Sequence, residues 1–296
     1  MSTPEASSPD TSPEFPGPAR LLRRYGLRAK KSLGQNFLVD LNLARKIVSL
    51  ADLPPEGVVV ELGVGLGTLT LALAEKARRV IGYELDETLL EILKNEGFLP
   101  ENVELRHGDI LSLDYRALAQ ELGQRLLLFG NLPYYLSSRL LYKLFEEREA
   151  VEQAVFMFQK EVAERLTASP GSKTYGPLSV LLSLAADVDW LLTLSPAHFH
   201  PRPEVSSAVL KIRFHPEPLP HEETLKRLLK AAFANRRKKL AKNLQALGLS
   251  KKEAEEMLAE VGLKPEVRAE EVPPKTFLEL AARISSKKGS SPIKCK

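Results

Sequence analysis

Val58-Val59-Val60-Glu61-Leu62-Gly63-Val64-Gly65-Leu66-Gly67-Thr68-Leu69-Thr70 is the stretch that decides the fold. β-favouring apolar residues, alternating glycines and a Leu/Ala-rich segment read as a buried strand, a tight turn and a helix beginning at about Leu66. Any parallel α/β domain has glycines at strand-to-helix turns. A ligand site needs them for a second reason: a Cβ would keep the backbone from the ligand, while the helix start offers free N–H groups. The dinucleotide fingerprint would require a third glycine at position 68, which is threonine, so NAD is disfavoured. About 20 residues past the glycines, Arg79-Val80-Ile81-Gly82-Tyr83-Glu84 reads as a second strand ending in a carboxylate, which suits a ribose diol.

Around this unit the pattern alternates: strands near 103–106 and 126–130, a helix from Ser137, and a strong strand in Ala154-Val155-Phe156-Met157-Phe158. Strand candidates near 188–194 and 205–214 predict an antiparallel edge on a mostly parallel sheet. Ser169 to Pro177 reads as a mobile surface loop near the site. Beyond Pro220 the apolar residues from Leu225 to Leu247 recur at helical spacing, and Gly248 supplies a stop. The resulting division is a disordered tail over 1–19, an α/β domain over 20–215, a helical domain over 216–286 and a disordered tail over 287–296.

At 296 residues the chain is long enough for one main and one smaller domain. Its single cysteine, Cys295, has no partner for a disulfide within the chain, which fits a reducing cytoplasm. No apolar run reaches the ~18 residues a membrane span needs, and no secretory leader is expected. Net charge is only +4, but it is unevenly spread: eight basic residues and no acidic one lie between Thr224 and Asn243. A second cluster holds Arg20, Arg23, Arg24, Arg28, Lys30 and Lys31. One such block is as well explained by a solvated helix face; two favour a polyanion such as nucleic acid.

Gly130-Asn131-Leu132-Pro133-Tyr134-Tyr135 follows the strand Leu126-Leu127-Leu128-Phe129, at the end where open α/β sheets hold ligands. The Asn131 oxygen and the Leu132 or Pro133 carbonyl can accept two N–H bonds from a flat base with an exocyclic amine, and Tyr134 can stack on it. An ordinary Asn-x-Pro turn beside a core tyrosine is the plainer alternative. His198 and His200 have no Cys or carboxylate to complete a ligand set, so no metal is expected, and His107 is read as packing or a ribose contact.

Six motifs, in order, resemble the S-adenosylmethionine-dependent ribosomal RNA adenine N6-dimethyltransferases: Leu33-Gly34-Gln35-Asn36-Phe37-Leu38, Glu61-x-Gly63-x-Gly65-x-Gly67-x-Leu69-Thr70, Glu84-x-Asp86, Gly108-Asp109, Asn131-Leu132-Pro133-Tyr134 and Phe199-x-Pro201-x-Pro203-x-Val205-x-Ser207. They span about residues 24–285, and the first of them, with the short helical C-terminal domain, looks most like bacterial members acting on the small subunit. Val64 stands where many members have proline; both are apolar. The resemblance implies a class I methyltransferase, Rossmann-like with a mostly parallel sheet and an antiparallel edge, plus an all-helical C-terminal domain.

It further implies a cofactor site of Asn36, Leu38, Gly63, Gly65, Glu84, Asp109 and Asn131, with Glu84 on both ribose hydroxyls and Asp109 on the adenine amine. Asn131, Leu132, Pro133 and Tyr134 would form the catalytic set. Arg23, Arg24, Lys30, Lys31, Arg236, Arg237, Lys238 and Lys239 would hold RNA phosphates, with Phe199 either at the second face of an unpaired base or in packing. The implied reaction is N6,N6-dimethylation of two adjacent adenosines in a hairpin loop near the 3′ end of 16S ribosomal RNA, by a monomer acting on the 30S particle in the cytoplasm. Alternatives are a large-subunit or DNA adenine methyltransferase, or a non-catalytic assembly factor.

Overall fold

The computed structural model describes residues 15–54 and 56–289. Its strands are β1 (Phe37–Leu38), β2 (Val58–Leu62), β3 (Arg79–Glu84), β4 (Val103–His107), β5 (Leu126–Asn131), β6 (Val151–Gln159), β7 (Ala186–Leu194), β8 (Phe199–His200) and β9 (Ser207–Phe214). The helices are α1 (Pro18–Arg24), α2 (Leu41–Leu50), α3 (Thr68–Ala74), α4 (Glu87–Glu96), α5 (Tyr115–Leu122), α6 (Ser137–Glu146), α7 (Lys160–Leu166), α8 (Pro177–Ala185), α9 (Glu222–Ala232), α10 (Leu240–Leu244), α11 (Lys251–Glu260) and α12 (Pro274–Gly289).

Seven strands form one sheet in the order β4-β3-β2-β5-β6-β9-β7. Only β9 runs against the rest, antiparallel to both β6 and β7, so the expected antiparallel strand lies one position in from the edge. All five residues of β2 are buried, as in a central strand covered on both faces. Ile47, Val48, Leu69 and Leu73 of α2 and α3 pack on one face with Val59 and Phe129. Tyr115, Leu118, Leu140 and Leu144 of α5 and α6 pack on the other with Val60 and Leu128. From β2 the chain runs outward through β3 and β4, then returns to start β5 on β2's other side. That reversal opens a crevice between the carboxyl ends of β2 and β5.

The C-terminal helices bury Leu225, Leu228, Leu244, Leu258 and Phe277, and their core is completed by Phe145, Tyr175, Val180 and Leu181 from α6, α8 and the loop before α8. Four expectations differ from this picture. The tail over 1–19 falls outside the described residues only to residue 14: Phe15 packs on Phe98, with ring centroids 5.1 Å apart, and α1 begins at Pro18. The C-terminal tail from 287 likewise begins inside α12, which runs to Gly289; only residues 290–296 lie outside.

Helix α5, which the strand-to-strand reading skipped, is capped by the Asp114 side chain on Ala117 N–H (2.9 Å) and stopped by Gly123 in the left-handed region. The loop 169–177 docks on the C-terminal helices: Tyr175 is fully buried and donates to the Val272 carbonyl (3.0 Å), and Gly171 N–H donates to the Glu270 carbonyl (2.7 Å).

Candidate active site

Gly63, Gly65 and Gly67 all have positive φ (82°, 60° and 85°), which side chains with a Cβ rarely adopt. At Gly65 close approach adds to this, since a Cβ would lie 3.0 Å from the Phe37 ring. Thr68, where a dinucleotide site would have glycine, donates its hydroxyl to the Leu38 carbonyl at 2.6 Å. The turn is thereby fastened to the segment 33–38, which passes over it. β1 of that segment pairs with β8, Phe37 opposite His200 and Leu38 opposite Phe199.

The crevice between these elements holds about 830 Å³ of empty space, open solvent at its mouth included. Asn36, Leu38, Gly63, Gly65, Glu84, Asp109, Asn131 and Pro133 line it, joined by Glu61, Leu85 and Tyr135, which sequence reasoning had not assigned to a site. Three of the lining residues are acids and none is Lys, Arg or His.

Glu84, 8% exposed, ties the glycine turn to the end of β3. Its Oε2 accepts from Gly65 N–H (2.8 Å) and its Oε1 from the N–H groups of Leu85 and Asp86 (2.9 Å each). A carboxylate has about four acceptor positions, so Oε2 keeps one. Burial raises the Glu84 pKa, and the three main-chain donors oppose that rise. Glu61 is 1% exposed and its Oε2 has no hydrogen-bond partner. Burial pushes its carboxyl up to about 8; Thr70 offsets this in part and Glu84 adds to it. The position was visible as the acid opening the glycine motif. Asp109, exposed, accepts from Leu111 N–H at 2.9 Å.

Asn131 ends β5, and its Nδ2 donates to the Asn36 main-chain carbonyl at 2.6 Å. A carbonyl can only accept, so the contact fixes the amide: Oδ1 is the end left for a ligand. The Pro133 carbonyl accepts from Leu136 N–H (3.0 Å), and the Leu132 side chain is buried in the core beneath Gly130. Leu132 therefore offers its main chain alone. Tyr134 does not line the crevice; its hydroxyl pairs with Ser207 Oγ at 2.8 Å. Tyr135, 57% exposed, lines it instead.

Several residues expected at RNA have partners within the chain. Phe199 is 2% exposed and packs with Leu38, Val209 and Met157, as the packing alternative expects. Lys30 Nζ binds Asp86 at 2.8 Å, Arg24 pairs with Glu96, and Arg236 binds Glu270 and the Tyr175 carbonyl. Lys239 lies 3.8 Å from Glu266.

Arg23, Arg237 and Lys238 are exposed and enter no ion pair seen among the described residues. The Lys31 side chain lies outside them. Arg236 to Lys239 do not sit on a helix face: α9 ends at Ala232 and α10 starts at Leu240, so the block forms the turn between them. His198 and His200 serve through their backbones, the His198 carbonyl accepting from Val39 N–H (3.0 Å) and His200 pairing with Phe37. Among the described residues, no three His, Cys, Asp or Glu side chains converge on one point, and no helix is long and apolar enough to cross a membrane.

A family model described as ribosomal RNA adenine dimethylase matches residues 26–286. Ribosomal RNA small subunit methyltransferase A of Ligilactobacillus salivarius is 40% identical over 282 residues, 91% of this chain and 95% of that protein. Its namesake in Geobacter metallireducens is 42% identical over 257 residues, 84% and 93% of the two chains. Among solved structures, a dimethyladenosine transferase from Plasmodium falciparum has a TM-score of 0.71 at 25% identity, covering 85% of this chain and 98% of that one. A 23S rRNA methyltransferase shares the fold, with a TM-score of 0.63.

Proposed function

This chain belongs to the ribosomal RNA adenine dimethylase family, and on that premise we propose that it uses S-adenosylmethionine to dimethylate N6 of two adjacent loop adenosines near the 3′ end of small-subunit ribosomal RNA. The observation that carries the proposal is a crevice walled by Glu61, Glu84 and Asp109, without a basic residue, that ends at the free oxygen of Asn131. Such a lining disfavours phosphates and suits a ligand with a cationic amino acid, a ribose and an amino-purine.

The residues fit that ligand on their own chemistry. Glu61 has an unpartnered oxygen to receive an ammonium, whose charge would displace the proton that burial keeps on the carboxyl, Glu84 keeps an acceptor position for a ribose hydroxyl, and Asp109 can accept from an amine. When bound, the cofactor supplies a methyl group made electrophilic by its positive sulfur. Asn131 and Leu132 have the other half of the task. Their oxygens accept the two amino hydrogens of the target adenine, which draws the nitrogen lone pair out of conjugation with the ring. Asn131 is neutral across the physiological range and cannot act as a base, so the proton leaves N6 to water after the nitrogen has taken the methyl from sulfur and become cationic. Orientation therefore carries the rate, a contribution worth roughly 7–11 kcal/mol when reactants are well aligned.

The target must leave any duplex to reach Asn131, at a cost of a few kcal/mol that is smallest in a loop. Tyr134, held at its hydroxyl by Ser207, is assigned one face of the extruded base. Arg23, Arg237 and Lys238 are assigned to phosphates. The protein would act as a monomer on the cytoplasmic small-subunit particle.

Mass spectrometry of RNA from undermethylated small subunits, large subunits and DNA, each treated with protein and cofactor, tests this. Dimethyladenosine in the small subunit alone is expected. Modification confined to large subunits or DNA, or absent throughout, would reject it.

A further inference from the structure

Two stretches distant in sequence, residues 30–35 and the start of α4, meet at one carboxylate that the function above leaves unused. Asp86, 6% exposed at the start of α4, accepts from Lys30 Nζ (2.8 Å) on Oδ1 and from Gln35 Nε2 (2.9 Å) on Oδ2. The Gln35 amide oxygen takes the Lys30 main-chain N–H (2.8 Å), closing residues 30–35 into a loop against α4. Further along the same strap, Asn36 holds Asn131 Nδ2 with its carbonyl, and Leu38 holds the Thr68 hydroxyl with its own. Gly34 sits so close to Pro133 that a Cβ would lie 3.2 Å from the proline Cβ. Residues 33–38 thus wall the crevice and touch the Asn131–Pro133 turn that borders it.

An amide has two ends of similar shape and opposite hydrogen-bonding sense. Only a fixed carbonyl opposite Nδ2 keeps the Asn131 oxygen pointing outward. We infer that Asp86, Lys30 and Gln35 are positioning residues, which latch the strap so that the Asn36 carbonyl aims the Asn131 amide at the target amine. Lys30 is on this account an internal latch rather than a phosphate ligand, and Asp86 serves the acceptor site from a strand end on the far side of β2 from Asn131. The inference rests on the function proposed above.

Its test is the rate of label transfer from S-adenosylmethionine to undermethylated small subunits, followed to saturating cofactor. Gln35→Ala removes one side of the latch; Thr68→Val releases the strap at Leu38, and Thr68→Ser keeps the hydroxyl. A loose strap raises the cofactor KM whether or not it aims Asn131, so the saturating rate is the readout that separates the two roles. The expected result is about a tenfold lower kcat for Gln35→Ala and Thr68→Val, the loss of one hydrogen bond to an ionised or buried partner. The particle KM should be unchanged and Thr68→Ser should behave as the unaltered protein. A rate fully restored at saturating cofactor would reduce the strap to a pocket wall and overturn the inference. Should Gln35→Ala lose cooperative melting, the Thr68 pair decides alone. If the unaltered protein transfers no label, the proposed function and this inference fall together.

Discussion

The crevice and the C-terminal helices are built on opposite terms. Around Asn131 the structure depends on single polar contacts and on glycines with positive φ, and it leaves Glu61 with an unpartnered oxygen. In the helical region the buried side chains are almost all apolar, the aromatic rings of Tyr175, Phe233 and Phe277 touch in sequence, and among the described residues the one buried ion pair there joins Arg148 to Glu222 at the start of α9. Stability and chemistry are therefore largely separable by region, since the helical core is held by apolar packing while the crevice is held by individual polar contacts.

That separation can be attacked from both sides. The largest effect on stability belongs to the helices: Phe277→Ala removes a fully buried ring and should cost about 3–5 kcal/mol in denaturant unfolding. Cofactor affinity should stay within about twofold where the variant is folded, and a comparable loss of affinity would join the regions energetically. Asn131→Ala should reverse the pattern, lowering kcat by roughly 10²–10³-fold, the range seen when one preorganised polar contact to a reacting group is deleted. Melting and particle binding should barely move; ordinary turnover would refute its role.

A smaller effect concerns pH. Glu61 rises from 4.5 to about 8 in the fold, so between those values the folded state holds a proton that the unfolded chain has released. The stability this contributes is complete below pH 4.5 and lost as pH climbs through 8, at about 1.4 kcal/mol per pH unit. Glu61→Gln should flatten that decline in melting without cofactor; Glu84, also raised by burial, leaves a residual slope. An unchanged decline would put the proton elsewhere. The smallest effect is expected at the basic turn, where Arg237→Ala with Lys238→Ala should weaken particle binding and reduce its salt slope by about one to two, cofactor affinity being untouched.

The same contrast governs what could be read from residues. Strand β2, the glycine turn, Glu84 and Asn131 were legible because each is a local pattern: an apolar run, a spacing, a strand end. Helix α5 is legible too, with Asp114 as its cap, Tyr115, Leu118 and Leu122 on one face and Gly123 as its stop, although a strand-to-strand reading of 103–130 omits it. What could not be read were contacts across long stretches of chain. The Asn36 carbonyl on Asn131 spans 95 residues and the Tyr134–Ser207 pair 73, and neither is encoded in spacing. Nor does composition say which of Phe199, Tyr134 and Tyr135 points inward, because neighbouring loop positions differ in facing by small changes of backbone. Charge runs do not discriminate either: Lys30 is as basic as Arg23, and only Asp86 in space tells them apart.

The most direct measurement is a calorimetric titration of the purified protein with S-adenosylmethionine, repeated with Glu84→Ala. One site per chain is predicted, with affinity lost or strongly weakened in the variant. No heat of binding from the unaltered protein, with or without small subunits present, would contradict the account at its base.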